Sequence, residues 1–276
     1  MINAHFLIGV DSDGTAFDSM NRKHLEAFIP AALEIWPMSP AVAERFTEIE
    51  KTVNLFSSTR GINRFPGLLA VFEQLRECFP EERNLPATED LRAYINAESK
   101  YSPVTLKRWM EAHPSEELEK VLQWSERADV LFSAACEGLA PYDGVREALT
   151  EARKGGAAVA VVSSAARKGL EKDWAAGGLI SCVDLLMSQE DGSKTAQLLL
   201  AAGQCAEDVK ILMLGDTDGD GEAAHAAGAL FYPIMPGSET DSWDHFRKVI
   251  LPQFLAGKYD AAEERKYGDK LRALLS

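Results

Sequence analysis

A short apolar run, "FLIGV" at residues 6–10, stands alone at the front of the chain, and four more gather in its second half. These are "AAVAVVSSA" (157–165), "VDLLMS" (183–188), "VKILMLGD" (209–216) and "ALFYPIM" (229–235). Each is short and β-branched or aliphatic, as strands buried on both faces are. Helical patterns separate the later runs, and "VREALTEARKGG" and "KTAQLLLAAG" both end in Gly, a common helix terminator. Strands alternating with helices predict an α/β fold with a doubly wound parallel sheet. The first run has no strand-like neighbour before residue 140, so it must pair with the later ones. That makes the intervening stretch an insertion.

The insertion reads as all-helical. "DSMNRKHLEAFIPAALEIW" opens with Asp18 and Ser19, good N-cap types, and then spaces Met20, His24, Phe28 and Ile35 along one helix face. The same character continues to about residue 137, with expected breaks at Pro30, Pro37, Pro66, Pro80, Pro86, Pro103 and Pro114. "EGLAPYDG" (137–144) has the turn residues of a return linker. The predicted domains are therefore 1–17 with 138–240 as a core, 18–137 as the insertion, and 241–276 as two further helices packed on the core.

Composition narrows the partners. The chain has 276 residues, 46% hydrophobic and 26% charged, with a net charge of −14 and no Lys/Arg-rich block. A surface so negative repels nucleic acid and anionic membranes. Cys78, Cys136, Cys182 and Cys205 show no C-x-x-C spacing, which predicts reduced, mostly buried thiols rather than a disulfide frame or a zinc site. With no basic n-region and no long apolar run, the expected location is cytoplasmic. The expected assembly is a monomer or homodimer.

In open α/β sheets, ligands sit beyond the carboxyl ends of the strands. The first run ends in Asp11, with Asp13 following; the second ends in Ser163 and Ser164; the fourth ends in Gly215 and Asp216, with Asp220 following. If these strands are neighbours, Asp11, Asp13, Asp216 and Asp220 converge. Four carboxylates stay ionised together only with a compensating cation, and hard oxygen ligands at a partly open site favour Mg2+. "DTDGDG" also fits the opening of a calcium loop. Ala227, however, stands at position 12, where such a loop requires a bidentate Glu, and a strand precedes it where a helix should be. Calcium sensing is excluded.

"DSDGT", Ser163, Lys194 and "GDTDGD", in this order, resemble the four motifs of the haloacid dehalogenase (HAD) superfamily. The helical insertion after the first motif resembles the cap of that superfamily's subfamily I, which includes proteins similar to phosphoglycolate phosphatase and β-phosphoglucomutase. "DGTAFDS" and "PYDGVREAL" extend the likeness. The resemblance implies an α/β, Rossmann-like core with an all-helical cap domain. It also implies a Mg2+-dependent phosphatase acting on a small phosphorylated metabolite.

Carried to this chain, it makes Asp11 the nucleophile that becomes an aspartyl-phosphate, and Asp13 the acid and then the base. Ser163 would bond a phosphoryl oxygen, and Lys194 would neutralise charge. Asp216 would hold Mg2+ with Asp11 and the backbone carbonyl of Asp13, while Asp220 supports that shell. Thr15 and Ser164 are further candidates for touching substrate. The chain departs from the family pattern at Ala16, where Leu or Val is usual, and at Ser164, where Asn is frequent. Thr195-Ala196-Gln197 also replaces the common Pro-x-Pro after the lysine. Lys168 and Lys172 are alternative lysines, closer in sequence to Ser163.

In the insertion, "SSTRGINRFPGL" (57–68) places Arg60, Asn63 and Arg64 in a Gly-containing break. Cap loops of the family select substrate, and two arginines suit a second anionic group or ordinary surface salt bridges equally. The five histidines lack metal spacing, and the scattered tryptophans read as core. Alternatives within the family are a phosphomutase and a phosphonate C–P hydrolase, with Lys51, Lys100 and Lys107 as the cap lysines present for the latter. Dehalogenation is disfavoured by Asp13. Outside enzymes, the alternative is a silent phosphate-binding regulatory module.

Overall fold

The five apolar runs form β1 (Phe6–Val10), β2 (Ala157–Val162), β3 (Leu185–Met187), β4 (Lys210–Gly215) and β5 (Leu230–Pro233). All pair in parallel, in the order β3-β2-β1-β4-β5. The computed structural model describes residues 1–276 in two units: Met1–Ser19 with Gly138–Ser276, and Met20–Glu137. The fold is a doubly wound parallel α/β sheet with an inserted all-helical cap domain. None of its helices is long and apolar enough to cross a membrane.

Strand residues point alternately to the two faces of the sheet, so each face builds its own core. Ile8, Val10, Val159, Val161, Leu212 and Leu214 pack beneath the helices Val145–Lys154 and Arg167–Ala176. Leu7, Ala158, Ala160, Val162 and Met213 pack on the other side with Leu198 and Ala224 from the helices Lys194–Ala202 and Asp218–Ala226. The C-terminal helices divide between these faces. Trp243, Phe246 and Phe254 join the first core, and Leu271, from the helix Ala261–Leu274, joins the second. Of the cysteines, Cys182 and Cys205 are buried, Cys136 is partly so, and Cys78 is exposed. Burial therefore covers fewer thiols than expected.

The second unit is a bundle around Phe28, Trp36, Phe46, Phe65, Phe72, Tyr94 and Trp124. Two of the expected proline breaks do not occur. The chain stays helical from Ser19 to Ile35, with a π-helical turn over Lys23–Phe28 just before Pro30. In a regular helix, the proline ring would strike the carbonyl of residue 26 and leave a bond unmade. Widening the preceding turn, so that the Ile29 N–H reaches the His24 carbonyl, relieves both problems. Pro252 repeats the device after the π turn Phe246–Ile250. Pro66 lies in the first turn of Arg64–Cys78, where a backbone N–H has no intrahelical partner to lose.

The same π turn buries His24, whose Nδ1 lies 2.6 Å from Glu50 Oε1. Burial holds its pKa below the ordinary histidine value, against the pull of Glu50. The folded chain therefore keeps His24 neutral at a pH where the unfolded chain already takes up the proton. Its contribution to stability is complete above about pH 6.5 and is lost as pH falls through the depressed value. Thermal unfolding followed between about pH 7.5 and 5 should show a falling midpoint in the wild type and a shallower fall in His24→Gln. Parallel curves would contradict this.

Candidate active site

The strand order reverses between β1 and β4, which creates the crevice where ligands of such sheets bind. The residue leaving each of these strands is an aspartate. Asp11 donates its backbone N–H to the Leu214 carbonyl at 2.9 Å, which seats it beside Gly215 and Asp216. Asp11, Asp216 and Asp220 are all buried, and one carboxylate oxygen from each lies within 4.8 Å of the other two.

Lys194 enters this cluster from the start of its helix. Its Nζ lies 2.9 Å from Asp11 Oδ1 and 2.6 Å from Asp220 Oδ1. Lys168 and Lys172 are exposed, so Lys194 is the lysine in contact with Asp11. Burial opposes the charge on Lys194, but Asp11 and Asp220 outweigh it and hold the ammonium above its ordinary range. Burial pushes the Asp11 carboxyl well up, against Lys194, and the Asp220 and Asp216 charges push it further. Three carboxylates outnumber the one ammonium by two charges. Buried all-oxygen donors with that imbalance suit a divalent cation.

Neighbouring groups orient each acid. Asp220 Oδ2 accepts from the Thr217 N–H at 3.1 Å and its hydroxyl at 2.7 Å, while the Thr217 hydroxyl accepts from the Asp220 N–H in return. This capping box closes the first turn of Asp218–Ala226. Gly215 makes room for it, since a methyl there would lie 2.4 Å from Asp220 Cγ. Thr15 is fully buried and donates to Asp216 Oδ1 at 3.0 Å, which makes it a partner of that carboxylate.

Asp13 differs from the expectation that four carboxylates converge. Its side chain stands outside the group of three and accepts from the Ser19 hydroxyl at 2.5 Å. After β1 the chain turns tightly, with Ala16 and Phe17 N–H groups on the Ser12 carbonyl and Gly14 at φ +76°, and this carries Asp13 away from the strand direction.

Ser163 is buried at the end of β2, its hydroxyl accepting from the Ala165 N–H at 3.1 Å. Ser164 is exposed. Arg60, Asn63 and Arg64 lie in the helical unit. Arg60 is buried and donates to the Leu55 carbonyl at 2.8 Å. Asn63 caps the helix Arg64–Cys78 through the Phe65 N–H. Arg64 pairs with Asp129 at 2.7 Å, donates to Ser125 Oγ at 2.9 Å and lies over the Phe28 ring. All three have contacts that hold the bundle together.

Three residues near the site were assigned no role from the sequence, and only Gln197 was marked there, as a departure from the family pattern. Trp174 Nε1 donates to Ser12 Oγ at 3.0 Å, and Trp243 Nε1 donates to the Thr15 carbonyl at 2.8 Å. Two indoles from distant helices thus hold the loop that carries Asp13. Gln197, fully buried, bonds the backbone of Ser163. Such roles depend on residues brought close only by the fold.

The sequence profile of the haloacid dehalogenase-like hydrolases matches residues 62–233, more than half of the chain. The chain belongs to that family and is an enzyme of the haloacid dehalogenase-like hydrolase type. No curated protein sequence matches it. Among solved structures it is similar to a protein from Haemophilus somnus 129PT described as a predicted phosphoglycolate phosphatase. That likeness has 17% identity and a TM-score of 0.51, covering 83% of this chain and 85% of the other. It is also similar to a protein from Bacteroides fragilis described as haloacid dehalogenase-like hydrolase, at 16% identity and a TM-score of 0.50, covering 86% and 93%. At these identities the likeness is one of fold.

Gly215→Ala should destabilise the chain by about 1–3 kcal/mol, because its methyl collides with the buried Asp220. Gly219→Ala, in the same segment with its nearest contact at 3.6 Å, should be neutral or stabilising by up to about 1 kcal/mol. Urea unfolding of both variants checks the pair, and equal midpoints would refute the packing argument.

Proposed function

We propose that the chain is a Mg2+-dependent phosphatase of small phosphorylated metabolites that works through an aspartyl-phosphate on Asp11. The supporting observation is the bridge from Lys194 to both Asp11 and Asp220 within a buried group of three acids at the switch point of the sheet. A phosphoryl group needs positive charge around its equatorial oxygens and an attacking oxygen held in line. The Asp11 carboxylate is that oxygen; Lys194 favours its ionised form against burial, a bound cation would add to that, and Lys194 offsets charge at the phosphoryl group.

In the first half-reaction, an Asp11 oxygen bonds phosphorus as the bond to the leaving oxygen breaks. Asp13 gives that oxygen its proton, so an alcohol departs. In the second, Asp13 takes a proton from water, whose oxygen attacks phosphorus, and the bond to Asp11 breaks to release inorganic phosphate. The hydrogen bond from Ser19 orients Asp13 for both transfers. The Ser163 hydroxyl, accepting from Ala165, is free to donate its own proton to a phosphoryl oxygen. Asp11, Asp216, Asp220 and the Asp13 carbonyl would hold Mg2+, which supplies Lewis-acid charge stabilisation when bound. The helical unit would act as a cap that selects substrate, with Arg60, Asn63, Arg64 and, in the core, Ser164 as the residues proposed to shape that choice.

Turnover of para-nitrophenyl phosphate tests this reading. Wild-type release of phosphate should stop with EDTA and return with Mg2+. Asp11→Asn should lose roughly 10^3-fold or more of kcat while keeping its far-UV circular dichroism. Full activity in Asp11→Asn would end the mechanism.

A further inference from the structure

Gln197 stands three residues after Lys194, where the chain lacks the second proline of the expected pattern. Its side chain is wholly buried. Burying a primary amide costs roughly 1–3 kcal/mol unless its hydrogen bonds are made, and here they are. Oε1 accepts from the Ser163 N–H at 2.9 Å. Nε2 lies 2.9 Å from the Ser163 carbonyl, 2.8 Å from the Ser188 carbonyl and 2.9 Å from the Gly192 carbonyl. One amide thus joins the loop after β2, the end of β3 and the loop that leads into the helix of Lys194.

The contact with Ser163 is made on both its N–H and its C=O. An amide that holds both groups of one residue fixes its backbone orientation, and with it the direction in which the Cβ leaves. The remaining side-chain torsion of Ser163 is held by the Ala165 N–H, which donates to its hydroxyl at 3.1 Å. Lys194 is one helical turn before Gln197, and its own Nζ is fixed by Asp11 and Asp220. A second tie runs parallel to the first: Arg167 pairs with Asp191 and donates to the Leu186 carbonyl at 2.8 Å.

We propose that Gln197 is a positioning residue that locks Ser163 onto the helix bearing Lys194, so that hydroxyl and ammonium meet one phosphoryl group at a set spacing. The proposal rests on the phosphatase reading for the roles of Ser163 and Lys194. A displacement of about 1 Å at such a site can cost about 100-fold in rate. A merely structural glutamine would lower stability and would act equally whether or not the Ser163 hydroxyl is present.

A double-mutant cycle separates the two cases. Gln197→Met and Gln197→Glu are each combined with Ser163→Ala, using para-nitrophenyl phosphate and Mg2+. The Glu variant keeps the size and an acceptor for Ser163 but loses the two N–H donors that the three carbonyls share. Both should lower kcat/KM by about 30-fold or more in the wild-type background and by no more than about 3-fold in Ser163→Ala. Equal losses in the two backgrounds would overturn the proposal. Amide hydrogen exchange on the wild-type chain and on Gln197→Met reads the lock without turnover. The Ser163 N–H is shared between Gln197 Oε1 at 2.9 Å and the Met187 carbonyl at 3.3 Å, so the readout is the difference between variants: it should exchange at least about 10-fold faster in Gln197→Met than in the wild type, and equal rates would overturn the lock. A wild type that hydrolyses nothing defeats the phosphatase reading, and the exchange data then still decide whether residue 163 is held.

Discussion

Mutual repulsion among Asp11, Asp216 and Asp220 is the constraint around which the core of this enzyme is arranged. One oxygen from each lies within 4.8 Å of the others among buried side chains, and Lys194 neutralises one charge of three. A folded chain does not collect such groups without compensation, since each buried, unpaired charge costs several kcal/mol. The surroundings supply what neutral groups can. Thr15 donates to Asp216, Thr217 donates twice to Asp220, and Gly215 leaves space for the close approach. The remaining imbalance suits a divalent cation, as the proposed function requires.

The sheet and its covering helices serve this arrangement. Parallel pairing of β1 with β4 sets Asp11 beside the end of the strand that leads to Asp216, and pairing of β1 with β2 brings Ser163 to the same edge. Buried polar side chains bond to the loops on that edge. Trp174 and Trp243 hold the loop after β1, and Gln197 holds the loop after β2. Trp243 belongs to the C-terminal helices, so that segment both covers one face of the sheet and fixes a loop at the site.

The five strands, the helical insertion and the acids at the strand ends were legible in the sequence, because each is a local signal. Buried parallel strands are short apolar runs, helices carry periodicity and caps, and a ligand-binding strand end carries a polar residue. What escaped notice depends on contacts between distant positions. Nothing near Trp174 or Trp243 marks them as donors to the first loop, and a core tryptophan reads the same either way. Gln197 was visible only as a departure from the family pattern, and its meaning came from three carbonyls contributed by separate segments. Pro30 was legible as a helix breaker, but the π turn that absorbs it was not. Asp13 shows the limit of spacing arguments, since a tight turn after Asp11 sends it to Ser19 and away from the other acids.

Calorimetric titration of Mg2+ into the wild-type chain and into Asp216→Asn tests the charge argument most directly, with no substrate needed. The account predicts a single site in the wild type and an affinity at least about 10-fold lower in the variant. Identical isotherms, or a wild type that takes up no ion, would contradict it.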